Sequence, residues 1–165
     1  MTKYFIGIDN GVSGSIAILD KNELLVLFKT PVIKSLDYTK SKRFINRLDA
    51  NKLDLILSEL TGNQVVCYIE RPMVNPTRFR ATLSALRCLE STLIVLELLK
   101  FPYCYIDSKQ WQKELLPTNL GKDELKLAAE QVAKRLFPTY MEDFGVKDAD
   151  GLLIAEFARR KGRLL

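Results

Sequence analysis

The chain has 165 residues, 47% of them hydrophobic and 27% charged, with 25 lysines and arginines against 20 acids and a net charge of +5. That is enough for a single domain over residues 1–165 with a buried core, and the mild positive charge suits a polyanionic partner without requiring one. Histidine is absent, which excludes Ser-His-Asp and Cys-His nucleophile systems and the usual His-rich zinc site. The odd count of cysteines, Cys67, Cys88 and Cys104, sits in apolar runs. They read as small buried hydrophobes in a reducing compartment rather than as a disulfide framework. No leader pattern opens the sequence and no apolar run approaches the roughly 18 residues of a membrane span. The expectation is a soluble intracellular protein.

Residues 3–9 (KYFIGID) alternate as a strand that ends on Asp9 and a glycine-containing turn. Residues 15–20 and 23–29 add two more β-type runs separated by Asp20-Lys21-Asn22, which together predict an antiparallel meander. Residues 31–48 read as irregular and basic, with Lys34, Lys40, Lys42, Arg43 and Arg47 against the single acid Asp37. Asp49 is placed as the N-cap of a helix carrying Leu53, Ile56, Leu57 and Leu60 at helical spacing, with Gly62 as its stop. A buried strand follows at 65–70 (VVCYIE), ending in Glu70, then a basic loop containing Pro72 and Pro76.

A long helix is expected over about 80–100, ended by Pro102, and a fifth strand at 103–106. Asp107 with Gln110 resembles the capping box of the next helix. Two further helices are read at roughly 122–136 and from near Lys147 to about Lys161. The order βββαβαβααα describes a mixed sheet flanked by helices.

Asp9 and Glu70 each end an apolar strand where the chain turns into a loop, the position at which α/β sheets gather ligands and catalytic groups. On parallel neighbouring strands the two carboxylates stand side by side, and adjacent anions ask for a cation. Oxygen donors without histidine favour Mg²⁺ or Mn²⁺ over zinc. In the last helix Leu153, Ile154 and Phe157 face the sheet, and Asp150 shares their side one turn earlier. Asp148, two residues away, points roughly opposite on a regular helix. Simpler readings exist for each acid: a turn former at Asp9, a surface ion pair at Glu70, an N-cap at Asp148. Asp150 is the hardest to explain structurally.

The segments FIGIDNGVSGSIAILD, VCYIERPMVNPTRFRATLSALRCLESTLIVLE, IDSKQWQKELLP, KDELKLAAEQVAKRLFP and KDADGLLIAEFARRK resemble the RuvC-like Holliday-junction resolvases, in particular their small bacteriophage members. The resemblance covers nearly the whole chain, with 31–48 weakest. It implies a ribonuclease H-like fold, a five-stranded mixed sheet, a homodimer, and Mg²⁺- or Mn²⁺-dependent cleavage of four-way junctions and forks in a host cytoplasm. By position it makes Asp9, Glu70 and Asp150 metal-binding catalytic acids. The family's further ligand, three residues before the last Asp, falls on Lys147, so Asp148 becomes the substitute ligand. An aromatic that helps open the junction is replaced by Met73, an apolar wedge that still suits unstacking.

Lys42, Arg43, Arg71, Arg78, Arg80, Lys109 and Lys113 are the candidate DNA-binding cations, each also readable as a solvated surface charge. The terminal ARRKGR run reads as a solvated helix end. Ala81, Ser84, Ala85, Cys88 and Ser91 form a small-residue stripe, which core packing explains as well as a dimer interface does. Two other functions remain open: a nuclease on structured RNA or RNA–DNA hybrids, and a branched-DNA-binding protein with little cleavage.

Overall fold

The computed structural model describes residues 2–163. Strands β1 (Lys3–Ile8), β2 (Ser15–Leu19) and β3 (Leu24–Lys29) form the expected meander. After β6 (Gln64–Glu70) and β7 (Tyr103–Ile106) are added in parallel, the five-stranded order is β3-β2-β1-β6-β7. Helices α1 (Ala50–Ser58) and α2 (Phe79–Leu98) cover one face. Helices α3 (Ser108–Leu115), α4 (Lys122–Leu136), α5 (Tyr140–Phe144) and α6 (Asp150–Lys161) cover the other. No helix among the described residues is long and apolar enough to cross a membrane.

Strand pleating divides the core. Ile6, Ile8, Cys67 and Ile69 face α1 and α2, while Phe5, Val66 and Tyr68 face α6. Continuing that period of two, Asp9 and Glu70 belong to the α6 side. The β1–β6 register pairs Ile8 with Ile69, so the next residues outward, Asp9 and Glu70, stand opposite each other at the sheet edge.

Helix caps follow the local chemistry. Asp49 accepts from the Lys52 amide at 3.0 Å, and the Asp107–Gln110 capping box starts α3. Helix α1 stops at Ser58, four residues short of Gly62, whose φ of +83° closes the succeeding turns instead.

Residues 31–48 are not irregular. They form a separate antiparallel ribbon, β4 (Val32–Leu36) paired with β5 (Phe44–Leu48). Its polar and apolar residues do not alternate cleanly, because neither face is fully buried. The last helix starts at Asp150, not near Lys147. The preceding residues form the approach to it, so Asp148 has no helical phase.

The small-residue stripe on α2 runs from exposed Ala81 through half-buried Ser84, Ala85 and Ser91, with Cys88 alone of the five in the core. The Ala85 carbonyl accepts from Asn10 Nδ2 at 3.1 Å. The helix's solvent side instead carries Leu86, Ile94 and Leu98 at 41%, 48% and 74% exposure.

Candidate active site

Two close backbone approaches bring α6 to the acids. A Cβ on Gly7 would lie 2.1 Å from the Ala155 nitrogen, and one on Gly151 would lie 2.4 Å from the Ser15 carbonyl oxygen. Only glycine lets the helix sink this far onto β1 and β2. Buried Ser15 ties the contact together: its carbonyl accepts from the Asp9 amide at 3.0 Å, and its hydroxyl accepts from the Gly151 amide at 3.1 Å. Leu152, Leu153 and Ile154 are fully buried behind Asp150, and burial of each is worth roughly 1.5–3 kcal/mol. The first turn of α6 is thereby held at the edge where β1 ends.

Asp9, Asp148 and Asp150 meet there, with one carboxylate oxygen from each within 4.8 Å of the others. Asp148 joins from the approach loop, and its Oδ1 accepts from the Asp150 amide at 3.2 Å. The positive end of the α6 dipole faces the group. Glu70 stands beside it and raises the pKa values of both Asp9 and Asp150. Burial, then the neighbouring carboxylates, hold Asp9 up at about 8; burial and then Asp148 and Glu70 hold Asp150 up at about 7.

Burial raises Glu70 also, opposed by a hydrogen bond from Trp111. The Trp111 Nε1 donates to Glu70 Oε2 at 2.7 Å, and the ring is 1% exposed in the core under α3. Sequence reasoning overlooked both Trp111 and Ser15. Their contacts span 41 and 136 residues, and neither residue sits in an acidic pattern. Lys147, at the family's further ligand position, is exposed.

The donor set suits a hard divalent cation: oxygen ligands only, partly desolvated, with mutually repelling charges. Among the described residues, the Lys126 charge opposes the rise at Asp150.

The candidate DNA-binding residues divide by place. Arg71, Met73 and Arg78 line a cavity of about 230 Å³ together with Glu70 and Asn10. Arg71 is 3.2 Å from Asp107 and lies over the Tyr105 ring at 5.5 Å. Met73 and Val74 project at 81% and 62% exposure. Arg43 and Arg80 line a separate, larger cavity, and Lys42 lies in the ribbon's turn with φ +47°. Lys109 and Lys113 are exposed on α3. The terminal arginines are engaged elsewhere. Arg159 and Arg160 clasp the buried Glu156, and Lys161 pairs with Glu114. They sit at the end of α6 away from the acids.

The five-stranded mixed sheet with helices on both faces is an α/β architecture that matches the ribonuclease H-like fold. Solved structures of RuvC are among those the chain matches. RuvC of Thermus thermophilus, solved in complex with a Holliday junction substrate, matches at TM-score 0.59 and 15% identity over 96% of each chain. Another Thermus thermophilus RuvC structure matches at TM-score 0.53 and 13% identity over 98% of this chain and 97% of that one. No family model and no curated protein matches the sequence. At these identities the likeness establishes the fold.

Proposed function

We propose that the chain is a single-domain, structure-specific endonuclease that cleaves Holliday junctions, forks and other branched DNA by phosphodiester hydrolysis. The observation that carries this reading is the convergence of Asp9, Asp148 and Asp150 within 4.8 Å at the sheet edge of a RuvC fold. The RuvC neighbour solved with a Holliday junction supports branched DNA as the substrate class.

Asp9, Asp148, Asp150 and Glu70 would hold divalent cations, Mg²⁺ or Mn²⁺. Such ions supply Lewis-acid stabilisation of the phosphate and a water whose proton is easily lost. Water oxygen bonds to phosphorus, the bond to the 3′ oxygen breaks, and that oxygen takes a proton, leaving a 5′ phosphate and a 3′ hydroxyl. Trp111 and Ser15 keep the carboxylates oriented. Arg71 and Arg78, beside Glu70, bind neighbouring phosphates without reading bases. Met73 and Val74, apolar and projecting, act as a wedge against a base step.

Paired nicks need two sites, and the exposed Leu86, Ile94 and Leu98 face of α2 is the surface assigned to a homodimer. Buried and half-buried free thiols suit the cytoplasm.

The test is cleavage of matched four-way junction, fork, linear duplex and RNA–DNA hybrid with Mg²⁺. The junction and fork are expected to be cut and the duplex and hybrid spared. Asp9→Asn, Glu70→Gln, Asp148→Asn and Asp150→Asn should each lower the rate about a hundredfold or more while junction binding stays within a few-fold. Preferential cutting of the hybrid, or full activity in Asp150→Asn, would overturn the reading.

A further inference from the structure

Strand β3 is antiparallel to β2, as is β1, so β3 ends on the same edge of the sheet as Asp9 and Glu70. The β4–β5 ribbon that follows is therefore planted beside the acids. The Thr30 amide donates to the Gly14 carbonyl and the Asp49 amide to the Pro31 carbonyl, both at 2.9 Å, which pins its base. Beyond that base the ribbon leaves Ile33, Leu36 and Phe44 exposed at 45%, 57% and 71%. The ribbon packs on α2 through its other residues, and these three side chains remain largely uncovered by the chain.

Between the ribbon and the first turns of α2 lies a cavity of about 740 Å³. Tyr38, Arg43 and Phe44 form one wall, Phe79 and Arg80 the other, and Val12, three residues beyond Asp9, also lines it. The aromatic residues Tyr38, Phe44 and Phe79 are 84%, 71% and 68% exposed. Arg87 lies over the Tyr38 ring at 5.5 Å and 3.6 Å from Asp37, which orients that ring while most of it stays in solvent. The ribbon and its turn carry Lys34, Lys40, Lys42, Arg43 and Arg47 against Asp37 alone.

Exposed rings interleaved with arginines are the chemistry of single-stranded nucleic acid. Unpaired bases stack on aromatic faces and the backbone follows the cations, whereas bases inside a duplex stack on each other and cannot reach the rings. The volume falls within the roughly 300–1,000 Å³ of sites that enclose small organic ligands, room for roughly one or two splayed nucleotides.

We propose that this groove binds an unpaired DNA strand beside the branch point, with bases stacked on Tyr38, Phe44 and Phe79 and phosphates held by Arg43 and Arg80. The proposal deepens the nuclease reading by naming the part of the substrate that reaches this side of the acids, and it rests on that reading only for where the strand comes from.

The experiment is fluorescence anisotropy of a labelled oligothymidylate with the full chain in EDTA, using a linear duplex of equal length as reference. A parallel strand carries 2-aminopurine to report stacking. Wild type is expected to favour the single strand and to quench 2-aminopurine. Tyr38→Ala and Phe44→Ala should each weaken oligothymidylate on the order of fivefold or more relative to duplex and relieve the quench, whereas Tyr38→Phe keeps both. These side chains are exposed, so matched thermal melts will show that the fold is intact.

Equal affinity of wild type for single strand and duplex, or alanine variants that bind and quench like wild type, would overturn the proposal. Four-way junction cleavage measured alongside separates the two ideas. Cleavage without single-strand preference removes the groove alone, whereas single-strand binding without cleavage of any branch removes the nuclease reading and leaves the groove standing.

Discussion

Trp111→Phe isolates one hydrogen bond in the acidic site. The indole Nε1 donates to Glu70 Oε2 at 2.7 Å, and the ring is 1% exposed. Phenylalanine retains most of the ring but no donor, leaving a half-buried carboxylate oxygen without its partner. A hydrogen bond to a charged group contributes about 1.5–3 kcal/mol, and groups that orient metal ligands typically set affinity by about 10- to 100-fold. Titration calorimetry with Mn²⁺ should therefore show weakening in that range, with kcat falling more than KM rises. The donor also opposes the burial that raises Glu70, so its loss moves the acid limb of the pH–rate profile to higher pH.

Leu115→Ala, on the same helix and also buried, is the control. It should cost about 2–5 kcal/mol of stability with Mn²⁺ affinity kept. Mn²⁺ affinity and pH profile unchanged within twofold in Trp111→Phe would refute the reasoning.

Metal-free stability should fall with rising pH. Asp9 is held at about 8 and Asp150 at about 7, both from 3.8, so between those values the folded state binds protons that the unfolded chain has released. Tm in EDTA should be lower at pH 8.5 than at pH 6, and Mn²⁺ should raise it more at pH 8.5; a flat or rising metal-free Tm would contradict this. Gly151→Ala places a Cβ 2.4 Å from the Ser15 carbonyl oxygen. It should destabilise by about 1–3 kcal/mol or more and lower cleavage by displacing Asp150, as melts and single-turnover rates will show. Ile94→Glu with Leu98→Glu should halve the mass seen by light scattering at micromolar concentration without lowering Tm of the monomer, if α2 forms the dimer face.

Much of the framework was legible from local chemistry. The alternating run that ends in Asp9 and the buried apolar run that ends in Glu70 both read as strands, and Asp49, Asp107 and Gln110 cap helices through contacts only three residues long. The inward face of α6 followed from Leu153, Ile154 and Phe157. Helix phase failed at Asp148, because α6 begins only at Asp150 and leaves Asp148 on the approach, where its carboxylate accepts from the Asp150 amide.

The ribbon of 31–48 escaped notice because periodicity reports burial, and a two-stranded element exposed on both faces carries almost none. The Ala85 carbonyl meets Asn10 across 75 residues, and the orientation of Glu70 depends on Trp111. Sequence order placed the acids at the ends of their elements, since strand pleat and helix period act over a few residues. Only tertiary packing chose their partners, because a hydrogen bond across 41 residues leaves no trace in either neighbourhood.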